Sequence, residues 1–92
     1  MEKNNSTDQL FEAILTLKNK EECYEFFSDA CTPKEIQAIA QRYTVGKMLY
    51  NKAVYSEIIE ATGASTATIS RVSRSINEGY KMVFERLKQE NE

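Results

Sequence analysis

The sequence predicts an all-α protein of about six helices. Three observations carry that prediction. Apolar residues recur every three or four positions along nearly the whole chain. The β-branched residues fall within those helical periods and form no alternating runs. The interruptions are brief, so 92 residues leave only short connections between the helices. A chain of this kind is an orthogonal bundle or an intertwined dimer.

The first helix is expected over residues 7–18. Ser6, Thr7 and Asp8 are good cap residues, and Leu10, Ile14 and Leu17 follow at helical spacing with Phe11 and Leu15 beside them. The second, over 20–30, puts Cys23, Phe27 and Ala30 on one face, with Tyr24 and Cys31 flanking it. Thr32-Pro33-Lys34-Glu35 is a start signal: Thr32 caps, Pro33 suits the first helical position, and Glu35 reaches back. The helix that follows runs to about Lys52, with Ile36, Ile39, Ala40 and Tyr43 inward. Gly46 in its middle costs about 1 kcal/mol against Ala, which points to a close packing contact there. A short helix over 55–62 carries Ile58 and Ile59 and ends at Gly63. Ser65 caps a fifth, 66–77, with Ile69, Val72 and Ile76 inward. Gly79 is expected to break it, and Tyr80, Val83, Phe84 and Leu87 mark a sixth over 80–90. No linker or repeat divides the chain, so residues 1–92 are expected to form one domain, with 1–6 and 91–92 frayed.

Composition removes whole classes of chemistry. There is no His, so Ser-His, Cys-His and His-metal arrangements are excluded together. Cys23 and Cys31 lie about 12 Å apart along one helix, too far for a disulfide, and two thiols do not complete a zinc site. They are expected as reduced, partly buried thiols of a cytoplasmic protein. No paired carboxylates in an apolar setting and no Gly-rich phosphate loop are present, so no enzyme and no cofactor is expected. No apolar run is long enough for a membrane span. A compact monomer of this mass buries only about 64 % of its unfolded surface, a thin core that dimerisation would supplement.

The net charge is −2, which by itself argues against nucleic acid. The charge is unevenly spread, however. Residues 1–41 carry −4, whereas 42–84 carry +3, from Arg42, Lys47, Lys52, Arg71, Arg74 and Lys81 against Glu57, Glu60 and Glu78. The field of the docking face decides binding, not the total.

The basic middle contains the most informative segment. Residues 55–71 form a short helix, a Gly-containing turn and a second helix, the grammar of a helix-turn-helix. The second helix opens with Ser65, Thr66, Ala67, Thr68 and Ser70, side chains short enough for a major groove. Arg71 and Arg74 follow with no acid until Glu78. Ser56, Thr66, Ala67, Thr68, Ser70 and Arg74 are the expected DNA contacts. The aromatic residues sit at core or interface spacing, except Tyr55 at the start of the first motif helix.

Thr32-Pro33-Lys34-Glu35, Ala38, Arg42, Gly63-Ala64, Ala67-Thr68-Ile69-Ser70-Arg71, Ser73 and Ser75 together resemble the Trp repressor superfamily, most closely its TrpR-related YerC/YecD-type branch. The similarity runs from about residue 10 to 77 and is most specific at 67–71. It implies an all-helical, intertwined homodimer that presents a helix-turn-helix to successive major grooves of a roughly palindromic double-stranded DNA operator. It also implies a corepressor site, with Arg42 and Arg71 flanking an aromatic ligand and Thr32 and Ser75 beside it. Two departures stand out. Val72 replaces the family's Gly after the second arginine and takes space an indole needs, and the turn between the arginines is one residue shorter. The expected small-molecule corepressor is therefore not tryptophan; Arg42 and Arg71 serving dimer or phosphate contacts is the alternative. Glu57 and Glu60 stand where the family has basic side chains, which opposes phosphate binding. The expected function is a DNA-binding transcriptional regulator and repressor. The rival is a dimeric protein-interaction module that keeps the fold without DNA.

Overall fold

The computed structural model describes residues 1–76 and 78–90. Among the described residues there are six helices and no strand: α1 (Asn5–Ile14), α2 (Lys20–Ala30), α3 (Pro33–Tyr50), α4 (Tyr55–Thr62), α5 (Thr66–Ser75) and α6 (Glu78–Glu90). They fall into two compact units, Met1–Lys34 and Glu35–Glu92.

In the first unit, α1 starts inside the stretch expected to fray. The cap is Asn4, whose side-chain oxygen accepts the Thr7 N–H at 2.8 Å, so Ser6, Thr7 and Asp8 lie within the helix and do not cap it. The helix closes at Ile14, short of the expected 18. Thr16 and Leu17 donate to the carbonyls of Ala13 and Ile14, three residues back, which tightens the chain out of α-geometry. Helix α2 has the expected bounds. Asn19 accepts the Glu22 N–H, and Glu22 Oε1 accepts the Lys18 N–H, both at 2.9 Å. Phe27 is half-buried against the edge of Phe26, but Cys23 and Ala30, expected on the same inward face, are exposed. Both thiols are free; Cys31 is half-buried, whereas Cys23 is exposed where partial burial is expected. Neither α1 nor α2 contains a buried residue.

The second unit holds the core. Val45 of α3, Ile58 of α4, Ala64, and Ile69 and Val72 of α5 form one buried cluster. Each of the four larger side chains contributes about 1.5–3 kcal/mol on burial. Met48, Leu49, Ala53, Ile76 and Tyr80 pack against it. Phe84 of α6 is buried within a ring cluster, its centroid 5.2–5.7 Å from those of Tyr43, Tyr50 and Tyr80. Several residues expected inward remain exposed: Ile36 and Ile39 on α3, Ile59 on α4, Val83 and Leu87 on α6.

The helix ends follow backbone hydrogen bonding. Helix α3 stops at Tyr50 because Lys52 takes a left-handed φ of 65°. Its N–H then donates to Leu49 O and the Ala53 N–H to Met48 O, both at 2.9 Å, a Schellman end. Helix α5 stops at Ser75, with Ile76 extended as its cap. Asn77, the last residue expected in that helix, lies outside the described residues, as do residues 91–92, expected to fray. The break therefore precedes Gly79, which sits inside α6.

Candidate nucleic-acid interface

Helices α4 and α5 are joined by three residues, and local hydrogen bonds specify the join. At the start of α4, the Val54 N–H donates to Glu57 Oε1 at 3.0 Å. Valine offers no acceptor in return, so only half of a capping box forms. The Glu57 carboxylate is thus turned onto the N-terminus of its own helix, where a negative charge is favourable. Ser56 beside it is exposed. At the other end, Thr62 Oγ1 donates to Ile58 O at 2.7 Å and accepts the Ala64 N–H at 3.1 Å. Gly63 has a φ of 70°, and its N–H closes on Ile59 O, as its placement after the last apolar position predicts. From α3, Gln41 Nε2 donates to Thr62 O at 3.1 Å and anchors the turn.

Ser65 caps α5 as expected. Its Oγ accepts the Thr68 N–H and donates to Thr68 Oγ1, each at 3.1 Å. Ile69 and Val72 point into the core, at 0 % and 2 % exposure. At 100° per residue, Ala67, Ser70, Arg71 and Arg74 then share the opposite face, at i, i+3, i+4 and i+7. Ser70 is half-buried and the other three are exposed, with exposed Thr66 at the edge of that face. Thr68 is the exception among the expected contacts: it is half-buried, set away from this face and tied to Ser65.

The residues expected to hold a small molecule come from separate elements. Thr32 belongs to the first unit. Arg42 and Arg71 are both exposed. Ser75 Oγ donates to Val72 O at 3.3 Å, so its hydroxyl is engaged by its own helix. The space beside Gly46, one turn after Arg42, is filled. A methyl group there would lie 3.0 and 3.1 Å from Cδ2 and Cε2 of Tyr80 and 3.6 Å from Val72 Cγ1. The close contact expected at Gly46 is therefore with the Tyr80 ring. A separate cavity of about 400 Å³ is lined by Lys47, Tyr50, Asn51, Phe84, Leu87 and Lys88, and by none of the expected site residues. Among the described residues, no cluster of His, Cys, Asp or Glu is suited to a metal ion, and no helix is long and apolar enough to cross a membrane.

Sequence reasoning missed three contributors. Gln41 has no local signal, because its partner is 21 residues away. Glu57 reads as an acid on a docking face, since a Val at the cap hides the half-formed box. Tyr80 reads as general core; only the cost of a mid-helix glycine hints at its contact.

Known proteins share the sequence and the six-helix fold of this chain. A family model described as "Trp repressor protein" matches residues 5–91. The protein YerC of Bacillus subtilis (strain 168), described as uncharacterized, is 54 % identical over 85 residues, which span 89 % of this chain and 82 % of YerC. The crystal structure of a TrpR-like protein from Eubacterium eligens ATCC 27750 is 54 % identical, with a TM-score of 0.91 over 94 % of this chain and 92 % of that one. A candidate Trp repressor from Staphylococcus aureus is 49 % identical, with a TM-score of 0.90 over 94 % and 89 % of the two chains. With its sequence matched almost end to end and its helices superposable on these structures, the chain belongs to the Trp repressor family.

Proposed function

We propose that this chain is a sequence-specific DNA-binding transcriptional regulator, acting as a repressor and as a homodimer, with α4, the turn 63–65 and α5 as its helix-turn-helix. The observation that carries this reading is the division of α5 into two faces. Ile69 and Val72 fix the helix in the core, and Ala67, Ser70, Arg71 and Arg74 are turned the other way. Short side chains admit the helix to a major groove and contact base edges; the two arginines contact phosphates. Membership of a regulatory, non-enzymatic family supports the same reading. The exposed Leu10 and Phe11 of α1, in a unit with no buried residue in either of its helices, support a second copy as their cover. A two-fold dimer reads a roughly palindromic operator.

The cap hydrogen bond of Glu57 weakens the argument for the rival interaction module, because that carboxylate already serves α4. A small molecule held between Arg42 and Arg71 is a separate proposal. Tryptophan is disfavoured as its identity, since Val72 and the Tyr80 ring occupy the space beside Gly46.

Selection from a randomised duplex pool at two salt concentrations tests the DNA reading. The expected result is an enriched motif with half-sites one helical turn apart and an affinity that falls as salt rises. No enriched motif and no salt dependence would overturn it.

A further inference from the structure

We propose that Tyr80 is the positioning residue of the recognition helix α5: its ring, carried by α6, is wedged onto α3 at Gly46 beside Val72, packs against the core cluster that holds Ile69 and Val72, and keeps α5 in its docking position from within the chain. This inference rests on the reading of α4–α5 as the DNA-binding element and adds what sets its position.

The geometry at Gly46 points to the wedge. Gly46 is buried inside an 18-residue helix, four residues before its end, where glycine weakens the helix unless packing requires it. The Tyr80 ring supplies that reason. Its Cδ2 and Cε2 lie 3.0 and 3.1 Å from where a Gly46 methyl would sit, so the ring rests on bare α3 backbone. Val72 Cγ1 lies 3.6 Å from the same point, so the inner face of α5 meets α3 where the ring does. Val72 is flanked on α5 by Arg71, and Arg74 follows two residues later. The ring is itself held by Tyr43 and Phe84, with centroids 5.9 and 5.7 Å away.

The two ends of α5 are thus fastened differently. The turn is held by Gln41 through Thr62 O. The C-terminal half of α5 ends in an extended Ile76 and has the Tyr80 ring packed against the core cluster that contains its Val72. Removing the ring leaves a gap shaped for a phenol and lets α5 leave α3. A protein whose competent state is only partly populated binds with an affinity reduced by that fraction, with its contacts unchanged.

The test uses the full chain with Tyr80→Phe, Tyr80→Leu and Tyr80→Ala, and phenol, the severed ring, as the added probe. Amide hydrogen exchange reads the position of α5 independently of DNA. Tyr80→Ala is expected to speed exchange across α5 by roughly tenfold or more relative to α3. Tyr80→Phe should match the parent, and millimolar phenol should slow α5 exchange in Tyr80→Ala while leaving the parent unchanged. On the enriched duplex, Tyr80→Ala should bind roughly tenfold more weakly with an unaltered salt slope, and phenol should restore binding. Parent-like exchange in Tyr80→Ala, or an α5 that ignores the probe, would overturn the proposal. Loss of helix throughout in both Tyr80→Leu and Tyr80→Ala would also overturn it, because the ring would then hold the whole unit and not one helix. If the parent binds no duplex at all, the DNA reading fails while the exchange arm still decides the wedge.

Discussion

A left-handed backbone position suits glycine and strains lysine, and among the described residues each occurs once at a helix end. Gly63 has φ 70° and Lys52 has φ 65°. A Cβ at Gly63 would meet nothing within 4 Å, so its substitution is resisted by the backbone and not by crowding. Gly63→Ala is expected to destabilise the fold by roughly 1–2 kcal/mol, and exposed Lys52→Gly to stabilise it by up to about 1 kcal/mol. Urea denaturation midpoints at unchanged m-value measure both; equal midpoints would show that these turns relax at no cost. Only the first site was legible in the sequence. A Gly after the last apolar position of a helix announces a left-handed end. Lysine announces nothing, because the Schellman bonds from Lys52 and Ala53 back to Leu49 and Met48 decide its backbone after the helix has formed. Ser65 was legible for the same local reason as Gly63, whereas Gln41 was not, since its acceptor, Thr62 O, arrives by tertiary packing.

At the scale of the element, α5 separates anchoring from docking. Its period placed Ile69 and Val72 inward from sequence, and the same period puts Ala67, Ser70, Arg71 and Arg74 outward. Thr68 shows the limit of reading by residue type. It has the right chemistry for a base edge, but it lies off the outward face and its hydroxyl oxygen accepts from the Ser65 cap. Arg74 is exposed on the outward face in the last turn of the helix. Arg74→Ala is expected to weaken binding to all duplexes alike and to lower the magnitude of the salt slope by about 1, since one phosphate contact is lost. Fluorescence anisotropy across a salt series checks this; a loss confined to the enriched motif would instead assign Arg74 to base reading. This outcome differs from that of Tyr80→Ala, which alters affinity and leaves the slope.

At the scale of the molecule, the distribution of burial matters most. Among the described residues, all the buried ones lie between Val45 and Phe84, and none lies in α1 or α2. Helices of 10 and 11 residues are marginal in water unless an apolar face is covered. Leu10 and Phe11 are more than 40 % exposed, and Ile36 and Ile39 on α3 are exposed as well. Their helical spacing, read from sequence, marks faces meant for burial; the partner that buries them is proposed to be a second copy. Sedimentation at micromolar protein is expected to give twice the chain mass of 10.6 kDa, with helix content falling on dilution as the dimer separates. A fully helical species of single-chain mass would count against the dimer and against a two-fold operator.

Helix number, helix type, the Gly63 turn, the Ser65 cap and the inward positions of α5 were all readable without coordinates. Each depends on residues within one or two turns, and such short-range preferences survive in any context. The pairing of Tyr80 with Gly46, the tie from Gln41 to Thr62 and the ring cluster around Phe84 join positions more than 20 residues apart. No local preference encodes them. They exist only once α3, α5 and α6 have packed, and packing also decided which of the apolar residues at helical spacing are buried and which stay exposed.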